Sequence, residues 1–159
     1  MVIKKNANKE KVSGLKSHIG FWLRLVSNHV SYAFARKLEK SGVTVAEWVI
    51  LREMYGCEDT TTPGEVAKLT GLTKGAVSKL VDRLLEKKLV ERRTSKEDRR
   101  YQDIHLTHEA QLLVPEIAAL ADLNDQEFFS ALSKKEREDL VSILQTITTA
   151  NQIHSVPVE

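Results

Sequence analysis

Three features of this 159-residue sequence predict a mainly α fold with one small β-hairpin. Between Thr62 and Glu86, proline, glycine and threonine punctuate two short runs with helical apolar spacing. From Leu89 to Leu106, two alternating stretches flank a charged tip. Long apolar stripes lie before and after this block. Together they describe a winged helix-turn-helix over about residues 44–106, with additional helices over about 15–40 and 108–150. Residues 1–14 and 151–159 are expected to be tails around that single domain.

The first helix of the central block starts at Thr62. Thr62 can cap, Pro63 suits the first helical position, and Glu65 completes a capping box. Val66, Ala67 and Leu69 give it an apolar face, and Gly71 ends it. Thr73 caps the next helix, whose Val77, Leu80, Val81, Leu84 and Leu85 share one side. The opposite side carries Gly75, Lys79, Asp82, Arg83 and Glu86, with Lys74 and Ser78 on the flanks. Small and basic side chains in that pattern suit a major groove about 12 Å wide. A solvated face on an ordinary amphipathic helix would look the same, so the flanking turn and ribbon decide the reading.

The ribbon alternates over Leu89–Thr94 and Gln102–Leu106, and the polar run around Lys96, Asp98, Arg99 and Arg100 forms its tip. From Lys68 to Asp103 there are eleven Lys/Arg and six Asp/Glu, a net charge of +5. The whole chain carries only +2, so the remainder is net −3. Cationic charge concentrated on one module is expected of a surface that meets phosphates.

The outer segments follow the same logic. Leu15 to Lys40 reads as one long helix, with Ile19, Trp22, Leu23, Val26, Val30, Phe34 and Leu38 in a stripe too long for the compact module. Gly42 ends it. Thr44 and Glu47 form a second capping box, and Trp48, Ile50, Leu51 and Met54 give the next helix its core face. Tyr55 to Thr61 reads as a loop. After the ribbon, Thr107 caps a helix over roughly Glu109–Phe129, in which Pro115 should bend the axis without ending it. Ser133 and Glu136 open the last helix, with Leu140, Val141, Ile143, Leu144 and Ile147 apolar.

Other function classes find little support. The histidines, at positions 18, 29, 105, 108 and 154, show no metal-protease spacing, no nucleophile–base pair can be argued, and no glycine-rich phosphate loop follows a strand. The chain therefore reads as no enzyme, with no cofactor and no metal. A single cysteine, Cys57, allows no internal disulfide and suits a reducing compartment. With no apolar run of about 18 residues and no signal-peptide pattern, the expected location is cytoplasmic, away from membranes.

The run LTKGAVSKLVDRLLEKKLVERRTSKEDRRYQDIHLT resembles the signature of the MarR (multiple antibiotic resistance regulator) family of bacterial transcription factors. The likeness extends over most of the chain, from about Leu15 to Ala150, and Asp98-Arg99-Arg100 is similar to the family's D-x-R wing motif. The resemblance implies that Arg100 enters a minor groove, that Asp98 holds the tip, and that Arg99 is left for phosphate. An Arg inserted into a narrow A·T-rich groove is physically sound. It also implies a homodimer, and a small phenolic or aromatic effector bound between the dimerising helices and the winged module. His18, Trp22, Tyr32 and Trp48 are candidates for effector contact, with plain core packing the simpler account of them.

The expected function is therefore a sequence-specific regulator of double-stranded DNA, a repressor on a palindromic operator with half-sites about 34–36 Å apart. Backbone contacts are expected from Lys74, Lys79, Arg92, Arg93, Lys96 and Arg99. Base readout is expected from Ser78, Lys79, Asp82 and Arg83. The competing reading is a winged-helix protein-interaction module, whose wing need not be basic.

Overall fold

The computed structural model describes residues 12–56, 62–94 and 102–153. Six helices and one hairpin follow in the order α1 (Ile19–Leu38), α2 (Val45–Gly56), α3 (Pro63–Thr70), α4 (Lys74–Glu86), β1 (Val90–Thr94), β2 (Gln102–Leu106), α5 (His108–Phe128) and α6 (Lys134–Ala150). The strands pair antiparallel, with Val90 opposite Leu106 and Arg92 opposite Ile104. No described helix is long and apolar enough to cross a membrane.

One core unites α2, α3, α4, the base of the hairpin and the first half of α5. Ile50, Leu51, Val66, Val77, Val81, Leu84, Ile104, Val114 and Ile117 are all buried there. The end of α1 joins through Phe34 and Leu38. Local signals hold the helix starts. Thr44–Glu47, Thr62–Glu65 and Ser133–Glu136 each form reciprocal capping bonds, while Thr73 and Thr107 accept from Ala76 and Ala110. Such caps satisfy amide groups that have no intrahelical partner. α5 continues through Pro115.

Two helices have boundaries that differ from expectation, and a third ends in a way the sequence reading did not address. The first long helix is split: Leu15–Ser17 is a 3₁₀ turn, His18 is extended, α1 begins at Ile19, and Glu39–Ser41 is a second 3₁₀ turn. The Ser17 hydroxyl bonds the Gly14 carbonyl, a local alternative to helix, and the apolar stripe begins only at Ile19. At the far end of α2, Tyr55 and Gly56 continue the helix instead of opening a loop. Finally, α4 ends without a glycine. Lys88 takes the left-handed conformation (φ 59°), while the amides of Lys88 and Leu89 bond the carbonyls of Leu85 and Leu84. This double closure is a Schellman motif, with Leu84 and Leu89 buried behind it.

Charged groups also enter the interior. Glu47 is fully buried, and one of its oxygens accepts from the Lys87 ammonium at 2.7 Å and from the Thr44 amide at 2.8 Å. Lys87 also donates to the Gly42 carbonyl at 2.8 Å. This bond set ties the start of α2 to the end of α4. Burial alone would raise the Glu47 carboxyl pKa. The Lys87 hydrogen bond, the bonds from Thr44 and the Lys87 charge outweigh it, so the pKa lies below its ordinary value. Between α1 and α5, buried Asn124 accepts from Lys37 and donates to the Val30 carbonyl.

The ends of the chain look different. Ile19, Trp22, Leu23 and Val26 on α1 are exposed, as are Leu123 and Phe128 on α5. α6 has no buried residue at all.

Candidate nucleic-acid interface

The surface opposite the core is built on α3, α4 and the hairpin. Gly71, at φ 71°, turns the chain between the two helices. The buried Thr70 hydroxyl donates to the Val66 carbonyl at 2.7 Å and accepts from the Leu72 amide, which anchors that turn. With Val77, Val81 and Leu84 buried, α4 is fixed in rotation. Lys74, Gly75, Ser78, Lys79, Asp82 and Arg83 are therefore all exposed. The six form one small, polar face with three cations and one carboxylate. A Cβ added to Gly75 would meet nothing within 4 Å, so packing within the chain does not require glycine there.

Several of these side chains already have partners. The Ser78 hydroxyl donates to the Lys74 carbonyl one turn back. Arg92 on β1 reaches across to Asp82 on α4 at 2.7 Å. Arg93 pairs with Glu91 on its own strand. Two arginines expected to meet phosphate thus bind carboxylates of their own module, and sequence spacing gave no sign of the first pair. Asp103, opposite Arg93 in the ladder, is buried, which the alternating pattern also missed. Lys96, Asp98, Arg99, Arg100 and Cys57 lie outside the described residues.

The hairpin is joined firmly at its base. The Thr107 amide donates to the Leu89 carbonyl at 3.1 Å, and its hydroxyl lies 2.9 Å from the Lys88 carbonyl while capping α5. Leu89, Val90 and Ile104 are buried, whereas Arg92, Arg93 and Thr94 are exposed. β1 therefore turns its side chains to solvent from Arg92 onward, while β2 stays against the core as far as Ile104 and Asp103.

The four effector candidates occupy different surroundings. Trp48 is buried edge-on against Phe34, with ring centroids 6.4 Å apart. Trp22 donates to the Lys16 carbonyl, and His18 meets the Ser13 hydroxyl, both at the exposed start of the chain's helical part. Tyr32 is exposed on α1. A cavity of about 600 Å³ opens where the end of α1, the end of α4 and α5 meet, beside Lys40, Lys87, Leu89 and Leu113; none of the four lines it.

Residues 41–100 match the model of the MarR family. Solved structures agree over nearly the whole fold. MepR of Staphylococcus aureus, from a MepR–DNA complex, is 27% identical, with a TM-score of 0.76 over 84% of this chain and 98% of its own. CouR from Rhodococcus jostii RHA1, bound to p-coumaroyl-CoA, is 26% identical, with a TM-score of 0.74 over 93% and 100%. BpsR of Bordetella bronchiseptica, whose DNA binding is regulated by 6-hydroxynicotinic acid, shares the fold at 24% identity, with a TM-score of 0.77 over 86% and 97%.

Proposed function

We infer that this chain, a MarR-family protein by its module over residues 41–100, is a sequence-specific double-stranded DNA-binding transcription regulator. One observation carries the reading. α4 buries Val77, Val81 and Leu84 and turns Lys74, Gly75, Ser78, Lys79 and Arg83 outward, beside the hairpin, in a segment of net charge +5. Such a face supplies phosphate contacts for affinity and base-edge contacts for sequence. Lys74, Lys79, Lys96 and Arg99 serve the backbone, whereas Arg92 and Arg93, expected there from the sequence, are paired with Asp82 and Glu91. Ser78, Lys79 and Arg83 serve the bases, and Arg100, held by Asp98, serves the minor groove.

The regulator acts as a homodimer on a palindromic operator, as a repressor whose affinity responds to a small aromatic effector. The exposed apolar stripes of α1, α5 and α6 support the pairing, because a monomer would leave them in water. The aromatic ligands of CouR and BpsR support the effector class. His18, Trp22, Tyr32 and Trp48 are proposed as its contacts; the first three are exposed on or beside α1, and Trp48 is buried against Phe34.

The test is selection of bound fragments from random duplex DNA, followed by titration in salt. A two-fold symmetric consensus and an affinity falling linearly with salt on logarithmic axes are expected. Arg100→Ala should weaken binding to the selected duplex by about 1–3 kcal/mol. Unchanged affinity at matched salt would remove the wing assignment.

A further inference from the structure

Asp82 sits among cationic residues on the outward face of α4, yet its carboxylate is turned to the hairpin. Its Oδ1 accepts from Arg92 Nη2 at 2.7 Å, and the two side chains are 59% and 49% exposed. The residue opposite Arg92 in the ladder is Ile104, so β2 offers no acid directly across from it. A pair this exposed adds little to folding. Its consequence lies in where it puts charge. One cation of the hairpin is committed to a partner of its own module, and one carboxylate stands on the surface that would face a polyanion.

We propose that Asp82 is a specificity-determining residue that restrains binding to DNA of arbitrary sequence by holding Arg92 away from phosphate. The inference rests on the duplex-binding reading above. Non-specific affinity comes almost entirely from counterions released when cations meet phosphates. A cation held by an internal carboxylate releases none, and the carboxylate repels every duplex alike. A selected operator offsets that penalty through base-edge and shape contacts, which random DNA lacks. Asp82 thereby lowers both affinities but lowers the random one more.

The experiment uses the full chain and three variants, Asp82→Asn, Arg92→Gln and the double substitution. Fluorescence anisotropy is read on a mixed-sequence 30-base-pair duplex and on the duplex selected by the wild type, over a range of KCl. Freeing one cation should steepen the random-duplex salt slope by about 0.9 and raise that affinity about fivefold near 0.15 M salt. The preference for the selected duplex should fall in proportion. In the Arg92→Gln background, the Asp82→Asn change in slope should shrink to less than half. If Asp82→Asn instead weakens only the selected duplex and leaves the random slope unchanged, Asp82 reads a base and the inference is overturned. An equal change in slope with and without Arg92 overturns it as well. A wild type that binds neither duplex at low salt overturns the duplex-binding reading, and this inference with it; wild-type binding with an inert Asp82→Asn overturns the inference alone.

Discussion

α4 and α6 are both amphipathic, and each begins with a capped first turn, but they end in opposite situations. α4 buries Val77, Val81 and Leu84 completely and is clamped at its end by Lys87 and the Schellman closure. α6 leaves Ile143 58% exposed and Val141 53% exposed, and buries nothing. Hydrophobic periodicity is therefore the same signal in both helices, but it specifies only that a face needs a partner. The partner of α4 is its own chain; that of α6 is proposed to be a second copy.

The sharpest way to break that contrast is on α6. Ile143→Glu should leave the single-chain fold intact, because the side chain already stands in water. If a second copy covers it, two-fold symmetry introduces the carboxylate twice, costing about 4 kcal/mol of association. Sedimentation equilibrium should then show monomers where the wild type shows dimers. An unchanged mass would mean that α6 does not make the interface.

On the α4 side, Lys87→Met strands the Glu47 carboxylate in the core. One Glu47 oxygen already lacks a hydrogen-bond partner among the described residues. The expected loss is about 2–3 kcal/mol in urea unfolding, moderated because Lys87 is itself partly exposed. Acidity tests the same clamp. With its folded pKa below the ordinary 4.5, Glu47 contributes fully above about pH 4.5, and that contribution disappears as pH falls through the folded value. In Lys87→Met, only the Thr44 bonds still oppose burial, so the carboxyl pKa rises from its wild-type position and the variant should gain stability relative to wild type on acidification. Parallel acid limbs would show that the clamp carries no such linkage.

Two smaller effects sharpen the comparison within α4. Gly75→Ala should stabilise the fold by about 0.5–1 kcal/mol, since the added methyl meets nothing in the chain. It should also weaken binding to the selected duplex about tenfold if the bare backbone is needed for close approach. Stability and affinity moving the same way would exclude that role. Lys88→Gly relieves the left-handed lysine and should raise the unfolding midpoint by the equivalent of about 0.5–1 kcal/mol.

What was legible in the sequence was local. The capping pairs at Thr44, Thr62 and Ser133 span three residues, so their chemistry can be read directly from the chain. The hairpin and the turn at Gly71 were equally local. The Glu47–Lys87 clamp joins residues forty apart, and Asn124 meets Val30 across ninety-four, so both depend on how helices pack. The end of α4 was hidden for another reason. A lysine fills the position where glycine normally announces a left-handed turn, and buried leucines on either side enforce it. The Asp82–Arg92 pair escaped because each residue, read alone, suits contact with DNA.

The joint at Thr107 sets a lever arm. This residue is bonded to the chain just after α4 while its hydroxyl starts α5, so the root of the hairpin and the root of α5 move together. Five residues of extended strand reach roughly 17 Å beyond that joint. A rotation of about 10° there carries the far end of the strands about 3 Å, half the width of a minor groove near 6 Å. A tilt of α5 of that size would therefore displace the far end of the described strands by a distance comparable with the groove's half-width.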